Sequence, residues 1–384
     1  MTGLSQRIHA LKASSTVAFN AKALEMKRAG VDVIAMTAGE PDFQPPQHVL
    51  EAAHEAVRRG LTKYTPSEGT RELRDAIAKK HARENELRYE ADQVMVSTGG
   101  KQVLYNAFMT LLDPGDEVIV PAPYWVSYPP QIELAGGVTV VVPTRPEEGF
   151  VLDPDRVAAA ITPRTKAILV NSPGNPTGAV YPEPVLRAVA ELCERHDLWL
   201  ITDELYEHMV YDGEFVTAAR YYPERTLLVH GASKGYALTG WRIGWGCGPS
   251  ALVKAMNKLQ GQSTSNANAV AQYATQVALD EVEATAAFQA MTRQAYRERR
   301  DVIVQGLNDL GLRTPLPQGA FYAMADLTPI DPDETVAATA LLERAHVGVV
   351  PGTDFAAPGF ARFSYACSME QIRSALERIG RLLA

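Results

Sequence analysis

A lysine set among small residues, with an arginine eight positions on, opens the chemistry: Ser233-Lys234-Gly235-Tyr236-Ala237-Leu238-Thr239-Gly240-Trp241-Arg242. A primary amine condenses with an aldehyde, and a guanidinium pairs with a phosphate, so one small molecule bearing both groups satisfies both residues. Alone, Ser-Lys-Gly is an ordinary loop triplet. Its context changes that. Asp203 ends the apolar run Trp199-Leu200-Ile201-Thr202, which reads as a buried strand. Ligands collect at such carboxyl ends in open α/β sheets. A carboxylate there can keep a heterocyclic nitrogen protonated, the condition for an electron-withdrawing ring. Aldehyde, phosphate and basic ring nitrogen together describe pyridoxal phosphate.

Further residues fit the same ring. Tyr206, three positions after Asp203, can hydrogen-bond its phenolic oxygen. Asn175 follows the β-branched run Ala167-Ile168-Leu169-Val170 and offers an amide to that oxygen or to a substrate carboxylate. Pro176 permits a cis peptide bond in the turn that aims it. Ser97-Thr98-Gly99-Gly100-Lys101-Gln102 joins a short strand to a helical pattern. Glycines at a helix start let backbone N–H groups close on a phosphate, favoured by the helix dipole. Trp125 supplies an aromatic face that can stack on the ring. Arg362, on an apolar strand before Ser364-Tyr365, calls for a buried anionic partner, because an unpaired buried charge is costly. Lys101 has two readings, a cation for a distal carboxylate or a solvated side chain whose backbone alone matters. Asp203, Glu204, Glu207 and His208 could form a metal cluster, Glu204 and His208 having helical i, i+4 spacing, but no further His or Cys group has ligand spacing.

The ordered set Thr37-Ala38-Gly39-Glu40-Pro41-Asp42-Phe43, Lys63-Tyr64, Gly99-Gly100-Lys101, Trp125, the Asn175 turn, Asp203 to Tyr206, Lys234 to Arg242 and Arg362-Phe363-Ser364-Tyr365 runs nearly end to end. By these motifs the chain resembles the fold type I pyridoxal-phosphate enzymes, and within them the class I aminotransferases. It is most similar to bacterial aspartate aminotransferases of the subgroup with dual aspartate/prephenate specificity. The resemblance implies that Lys234 binds the cofactor covalently and later shuttles a proton. It implies that Arg242, Ser233 and the backbone of Gly99, Gly100 and Lys101 hold the phosphate, with Tyr64 reaching the phosphate of the other subunit of a homodimer. Asp203 then pairs with the ring nitrogen, Asn175 and Tyr206 with the phenolic oxygen. Arg362 grips the substrate α-carboxylate, helped by Gly39, Trp125 and Asn175. The implied reaction moves the amino group of aspartate to 2-oxoglutarate in two ping-pong halves, with prephenate as a further acceptor linked to Lys12. No metal is expected. Many relatives carry a hydroxyl residue three positions before the lysine, where this chain has Gly231, and Ser233 is the expected substitute. Aromatic or alanine aminotransferases, carbon–sulfur lyases and non-catalytic ligand sensors share the same machinery.

The elements that must position these residues alternate between strands and helices. Strands are expected at Val94–Ser97, 117–120, 138–142, 167–171, Trp199–Asp203, 227–230 and 243–247, separated mostly by helical patterns. That predicts a mainly parallel, seven-stranded α/β sheet with helices on both faces. A long charged helix over 283–310 leads to a smaller α/β lobe with strands at 320–325, 347–350 and 362–365, joined by an N-terminal helix over 17–28. The expected domains are 46–285, binding the cofactor, and 1–45 plus 286–384, closing over it. A dinucleotide fold would need an acid about 20 residues after the G-x-G-x-x-A match Gly246-Cys247-Gly248-Pro249-Ser250-Ala251, and residues 263–270 offer neither acid nor strand.

The 384 residues, 46% of them hydrophobic, can bury a large core. A net charge of −8 argues against nucleic acid or an anionic membrane as partner. Cys193, Cys247 and Cys367 are far apart and read as reduced thiols. With no apolar run long enough to span a bilayer, a cytoplasmic enzyme acting on small amino and oxo acids is expected.

Overall fold

The apolar runs in the middle of the chain pair into one sheet. The computed structural model describes residues 3–11 and 15–384. Its strands, in chain order, are β1 (Ile34–Ala35), β2 (Val94–Ser97), β3 (Glu117–Ala122), β4 (Val138–Pro143), β5 (Thr165–Asn171), β6 (Trp199–Asp203), β7 (Thr226–Gly231), β8 (Gly244–Cys247), β9 (Tyr322–Asp326), β10 (Val347–Gly348), β11 (Val350–Pro351) and β12 (Phe360–Ser364). The large sheet has the order β2-β8-β7-β6-β5-β3-β4. Only β8 runs against the rest, pairing antiparallel with β2 and β7. Every residue of β3 and of β7 is buried, the pattern of strands covered on both faces. Leu227, Leu228 and Val229 are fully buried, each contributing roughly 1.5–3 kcal/mol of apolar transfer.

All seven expected strands exist, several one or two residues longer than the sequence indicated. The smaller-lobe strand expected at 347–350 is a correction: it is interrupted at Val349. β10 pairs parallel with β1, whereas β11 pairs antiparallel with β12, so one short run serves two sheets. A continuous apolar stretch carries no signal for such a change of partner. β12 also pairs with β9, completing a three-stranded antiparallel sheet.

Helices form where caps and amphipathic spacing coincide. Thr70 caps Arg71–Glu84 by accepting from the Leu73 N–H, and Ser368 with Gln371 forms a reciprocal capping box at Met369–Leu383. The long helix is Val282–Asp309 and the N-terminal one Ser15–Arg28. Lys12 lies outside the described residues. Among the described residues no helix is long and apolar enough to cross a membrane.

Candidate active site

Parallel strands leave their carboxyl ends on one edge, and three of those ends meet here. β5 delivers Asn171 and the turn bearing Asn175, β6 ends on Asp203, and β7 leads through Ala232 and Ser233 to Lys234. Together with Gly39, Trp125, Tyr206 and Arg362 they line a cavity of about 220 Å³. A second cavity adjoins it, sharing Gly39, Trp125 and Lys234 and adding Gly100, Lys101, Ser233 and Arg242.

Asp203 is 5% exposed. Its Oδ2 accepts from the Tyr128 hydroxyl at 2.7 Å, while Oδ1 has only a long contact, 3.4 Å, from the Leu205 N–H. Burial raises its pKa to about 6, and the Tyr128 hydroxyl, the Leu205 N–H and Lys234 limit the rise. At neutral pH the group is still ionised. Its main-chain carbonyl accepts from Asn171 Nδ2 at 2.9 Å, and Asn171 Oδ1 accepts from the Asn175 N–H at 2.8 Å, so one side chain sets both neighbours. The Asn175-Pro176 bond is cis, as the turn suggested; Ser172-Pro173 and Ala122-Pro123 are cis as well.

Lys234 is half-buried, and its Nζ donates to the Gly39 carbonyl. Burial and the positive charge of Arg362 lower its pKa to about 8, with Glu40 opposing. The loop that carries it is pinned to β8: the Ala232 N–H donates to the Ile243 carbonyl at 3.0 Å. At Gly231 a Cβ would stand 2.9 Å from that same carbonyl oxygen and 3.0 Å from Gly244 Cα. This backbone therefore excludes a side chain with a hydroxyl at 231, and Ser233 and Thr239 are the hydroxyl residues that line the adjoining cavity.

The phosphate-type turn is equally tight. Gly99 precedes the helix Gly100–Leu111 with φ of 85°, and a Cβ on it would lie 2.6 Å from Arg242 Nη2. A Cβ on Gly244 would lie 2.2 Å from the Gly100 nitrogen. Arg242 itself sits in the left-handed region at φ 58°, its Nη1 donating to the Thr239 carbonyl at 2.9 Å. Lys101 is anchored through its carbonyl by Gln131 Nε2 at 3.0 Å, and its Nζ stands 4.9 Å from the centroid of the Trp125 ring. Partial desolvation and then Arg242 lower its pKa.

Arg362 is 3% exposed. Its Nη1 donates to Asn175 Oδ1 at 3.0 Å and its Nη2 to the Thr37 carbonyl at 2.9 Å, while Nε has no protein partner. The guanidinium lies 4.5 Å over the Tyr322 ring. No carboxylate of the protein faces it among these contacts, and burial holds its pKa below the usual arginine value. This is a cation with room for a carboxylate ligand.

Among the described residues of the expected site, Tyr64 stands apart in this single chain, and Lys12 lies outside the described residues. It is 92% exposed and lines a surface hollow with Arg59 and Tyr273. Several participants were missed. Tyr128 holds Asp203, and Tyr322 exchanges a hydrogen bond with Tyr206, hydroxyl to hydroxyl, at 2.9 Å. Thr37 and Asn20 line the main cavity as well. The only signals for them were the aromatic spacing Trp125–Tyr128 and the pair Phe321-Tyr322 at the start of a strand.

A family model for class I and II aminotransferases matches residues 31–379. The chain is 57% identical over 383 residues to an aspartate/prephenate aminotransferase of Thermus thermophilus, covering 100% of this chain and 99% of that one. It is 55% identical to a probable aspartate/prephenate aminotransferase of Thermus aquaticus, with both chains covered completely. Among solved structures, the aspartate aminotransferase of Thermus thermophilus with maleate superposes at a TM-score of 0.98, at 57% identity, over the whole of both chains.

Proposed function

The chain belongs to the class I and II aminotransferases, and on that premise we propose that it moves the amino group of aspartate to 2-oxoglutarate, with prephenate as a second acceptor. The observation that carries this reading is a single cavity lined by a half-buried lysine, a buried carboxylate and a buried arginine with an unpaired Nε.

The residues fit pyridoxal phosphate. The Gly99–Arg242 approach leaves no room for a side chain but suits a phosphate held by backbone N–H groups, Ser233 and a guanidinium. Asp203 Oδ1 is free to accept from a ring nitrogen. Asn175 and Tyr206 flank the same cavity and suit the phenolic oxygen, and Trp125 suits the ring face. When bound, the cofactor supplies an aldehyde that takes up the amino group and a ring that accepts the electron pair released at the substrate Cα.

The protein supplies the rest. Arg362 binds the α-carboxylate of either substrate through the two-pronged geometry that a guanidinium offers. Asn175 holds the guanidinium in plane from one side and the Thr37 carbonyl from the other. Gly39 contributes its main chain at the mouth, where a Cβ would lie 3.2 Å from the Tyr322 hydroxyl. Lys234, with its pKa near 8, is suited to take the substrate Cα proton at Nζ and to hand it on to the carbon on the far side of the amino nitrogen. The buried Asp203 carries the negative charge that keeps the ring nitrogen protonated. Lys101, leaning over Trp125 at the rim, would meet the distal carboxylate of aspartate, and Lys12 would serve prephenate.

Residues 46–285 form the cofactor-binding domain in this reading, with 1–45 and 286–384 closing over it. Two copies would share their sites through the exposed Tyr64. A cytoplasmic setting suits the three free, buried cysteines.

A donor and acceptor panel tests the reading. Aspartate with 2-oxoglutarate should give the highest kcat/KM, prephenate should serve as acceptor, and Lys12→Ala should weaken prephenate turnover alone. Pyruvate and ammonia release, or preference for aromatic or alanine donors, would overturn the assignment.

A further inference from the structure

A second set of buried polar side chains adjoins the Lys234 loop without lining the cavity. Lys80 and His81 come from the helix Arg71–Glu84, Asn85 caps its end, Glu207 follows Tyr206, and His230 lies in β7. Lys80, His81 and His230 are fully buried, and Glu207 nearly so.

The donors can be followed in one direction. The Trp245 Nε1–H donates to His81 Nε2 at 3.0 Å, which leaves His81 Nδ1–H to donate to Asn85 Oδ1 at 2.7 Å. Asn85 Nδ2 donates to Glu207 Oε2 at 3.2 Å, and Lys80 donates to Glu207 Oε1. At the other end, the Gly231 N–H donates to His230 Nδ1 at 2.7 Å. That fixes the tautomer and leaves the hydrogen on His230 Nε2, which stands 3.3 Å from Glu207 Oε1, in electrostatic contact but outside hydrogen-bond geometry. His208 Nε2 stands 3.1 Å from the same oxygen, and its ring backs onto Gly235, where a Cβ would lie 2.5 Å from Nδ1.

Glu207 Oε1 with the two imidazole Nε2 atoms has a spacing suited to a metal ion, all within 4.8 Å. Lys80 already occupies the cationic place beside that oxygen. The cluster reads instead as a brace. Glu207 is three residues after Asp203's neighbour Glu204 and directly after Tyr206; it lies against His230, which accepts from the Gly231 N–H, and against His208, whose ring packs on Gly235 beside Lys234.

We propose that Glu207, fixed by Lys80 and Asn85 and linked through His230, is a positioning residue that holds the Lys234 loop and Tyr206 in register across the cavity. The inference rests on the aminotransferase reading. A buried ion pair is seldom more stabilising than apolar residues of the same volume, so stability alone gives little reason for this one. Orientation does: a misplacement of about 1 Å in a reacting group costs up to about a hundredfold in rate. The state of the cluster agrees. Burial keeps His81 and His230 neutral, and although burial disfavours charge on Glu207, the Lys80 ammonium beside it holds it ionised.

Two holoenzyme variants separate the brace from a structural filler. His230→Asn keeps an acceptor for the Gly231 N–H but cannot reach Glu207, and Glu207→Gln removes the charge while keeping the shape. Each should lower kcat about tenfold with the KM for aspartate within about twofold. Amide hydrogen exchange over residues 230–236 should be faster than wild type in the apo and cofactor-loaded forms alike. Lys80→Arg should retain most of the rate that Lys80→Met loses. Wild-type kcat with unchanged exchange in either folded variant would overturn the proposal, as would loss of fold in both, which would mark the cluster as purely structural. If the wild type itself fails to transaminate, the functional reading falls, while the exchange measurement still reads the brace.

Discussion

At the residue scale the site rests on a half-buried lysine, a buried arginine and a buried carboxylate, each of which is costly without its ligand. Lys234 shows this through linkage. Its folded pKa, about 8, is lower than the unfolded value of 10.5. Below pH 8 the amine is charged in both states, and the folded protein carries the full cost of burying it. Between pH 8 and 10.5 only the unfolded chain keeps the proton, so this group's contribution to stability rises with pH. Two outcomes are expected. Lys234→Met apoprotein should melt higher than wild type at pH 7, by an amount on the order of 1–3 kcal/mol, while losing transamination. The rate at which wild-type apoprotein captures the cofactor should rise with pH, pass half its maximum near pH 8 and level off above it, as the amine loses its proton; stopped-flow absorbance reads this directly. Arg362 makes a different prediction. Arg362→Lys keeps the charge but loses the fork, so the KM for aspartate should rise roughly 10- to 100-fold, with a smaller change in kcat.

At the element scale the account depends on how closely β8, the turn at Gly99 and the Lys234 loop approach one another. A Cβ at position 244 would collide with the Gly100 nitrogen, and one at 99 with Arg242 while also straining a left-handed φ. Gly244→Ala and Gly99→Ala should each weaken cofactor affinity at least about tenfold by equilibrium dialysis, with far-ultraviolet circular dichroism little changed. These elements also mark what the sequence could disclose. The seven large-sheet strands were legible because each is a continuous apolar run ended by Gly, Pro or a polar residue, as Trp199–Asp203 is. The glycine turn, the Asn175 turn and the lysine loop were legible because each follows such a strand. What stayed hidden was long-range. Nothing local tells that Tyr128 would donate to an aspartate 75 residues away, or Tyr322 meet Tyr206 across 116 residues. In the sequence nothing sets Lys80 apart from other helix lysines; the fold buries it against Glu207. The break at Val349 was invisible for the same reason, since only the partner strands distinguish β10 from β11.

At the scale of the whole molecule, the carboxyl edge of the large sheet supplies the lysine and the aspartate, whereas Arg362 comes from β12 in the three-stranded sheet. Binding a substrate carboxylate to Arg362 therefore draws on both sheets at once, the arrangement expected of two domains that close on their ligand. The exposed Tyr64 belongs to this scale too. If two copies share their sites, Tyr64→Ala should weaken cofactor binding severalfold while the dimer persists by light scattering, and a monomeric wild type with full affinity would argue against sharing. All of this presupposes one covalent attachment. Borohydride reduction of the purified, cofactor-loaded protein, followed by peptide mapping, tests that directly. The account predicts a reduced pyridoxyl group on the peptide containing Lys234, and on that residue. An adduct on Lys101 or any other lysine, or none at all, would contradict it.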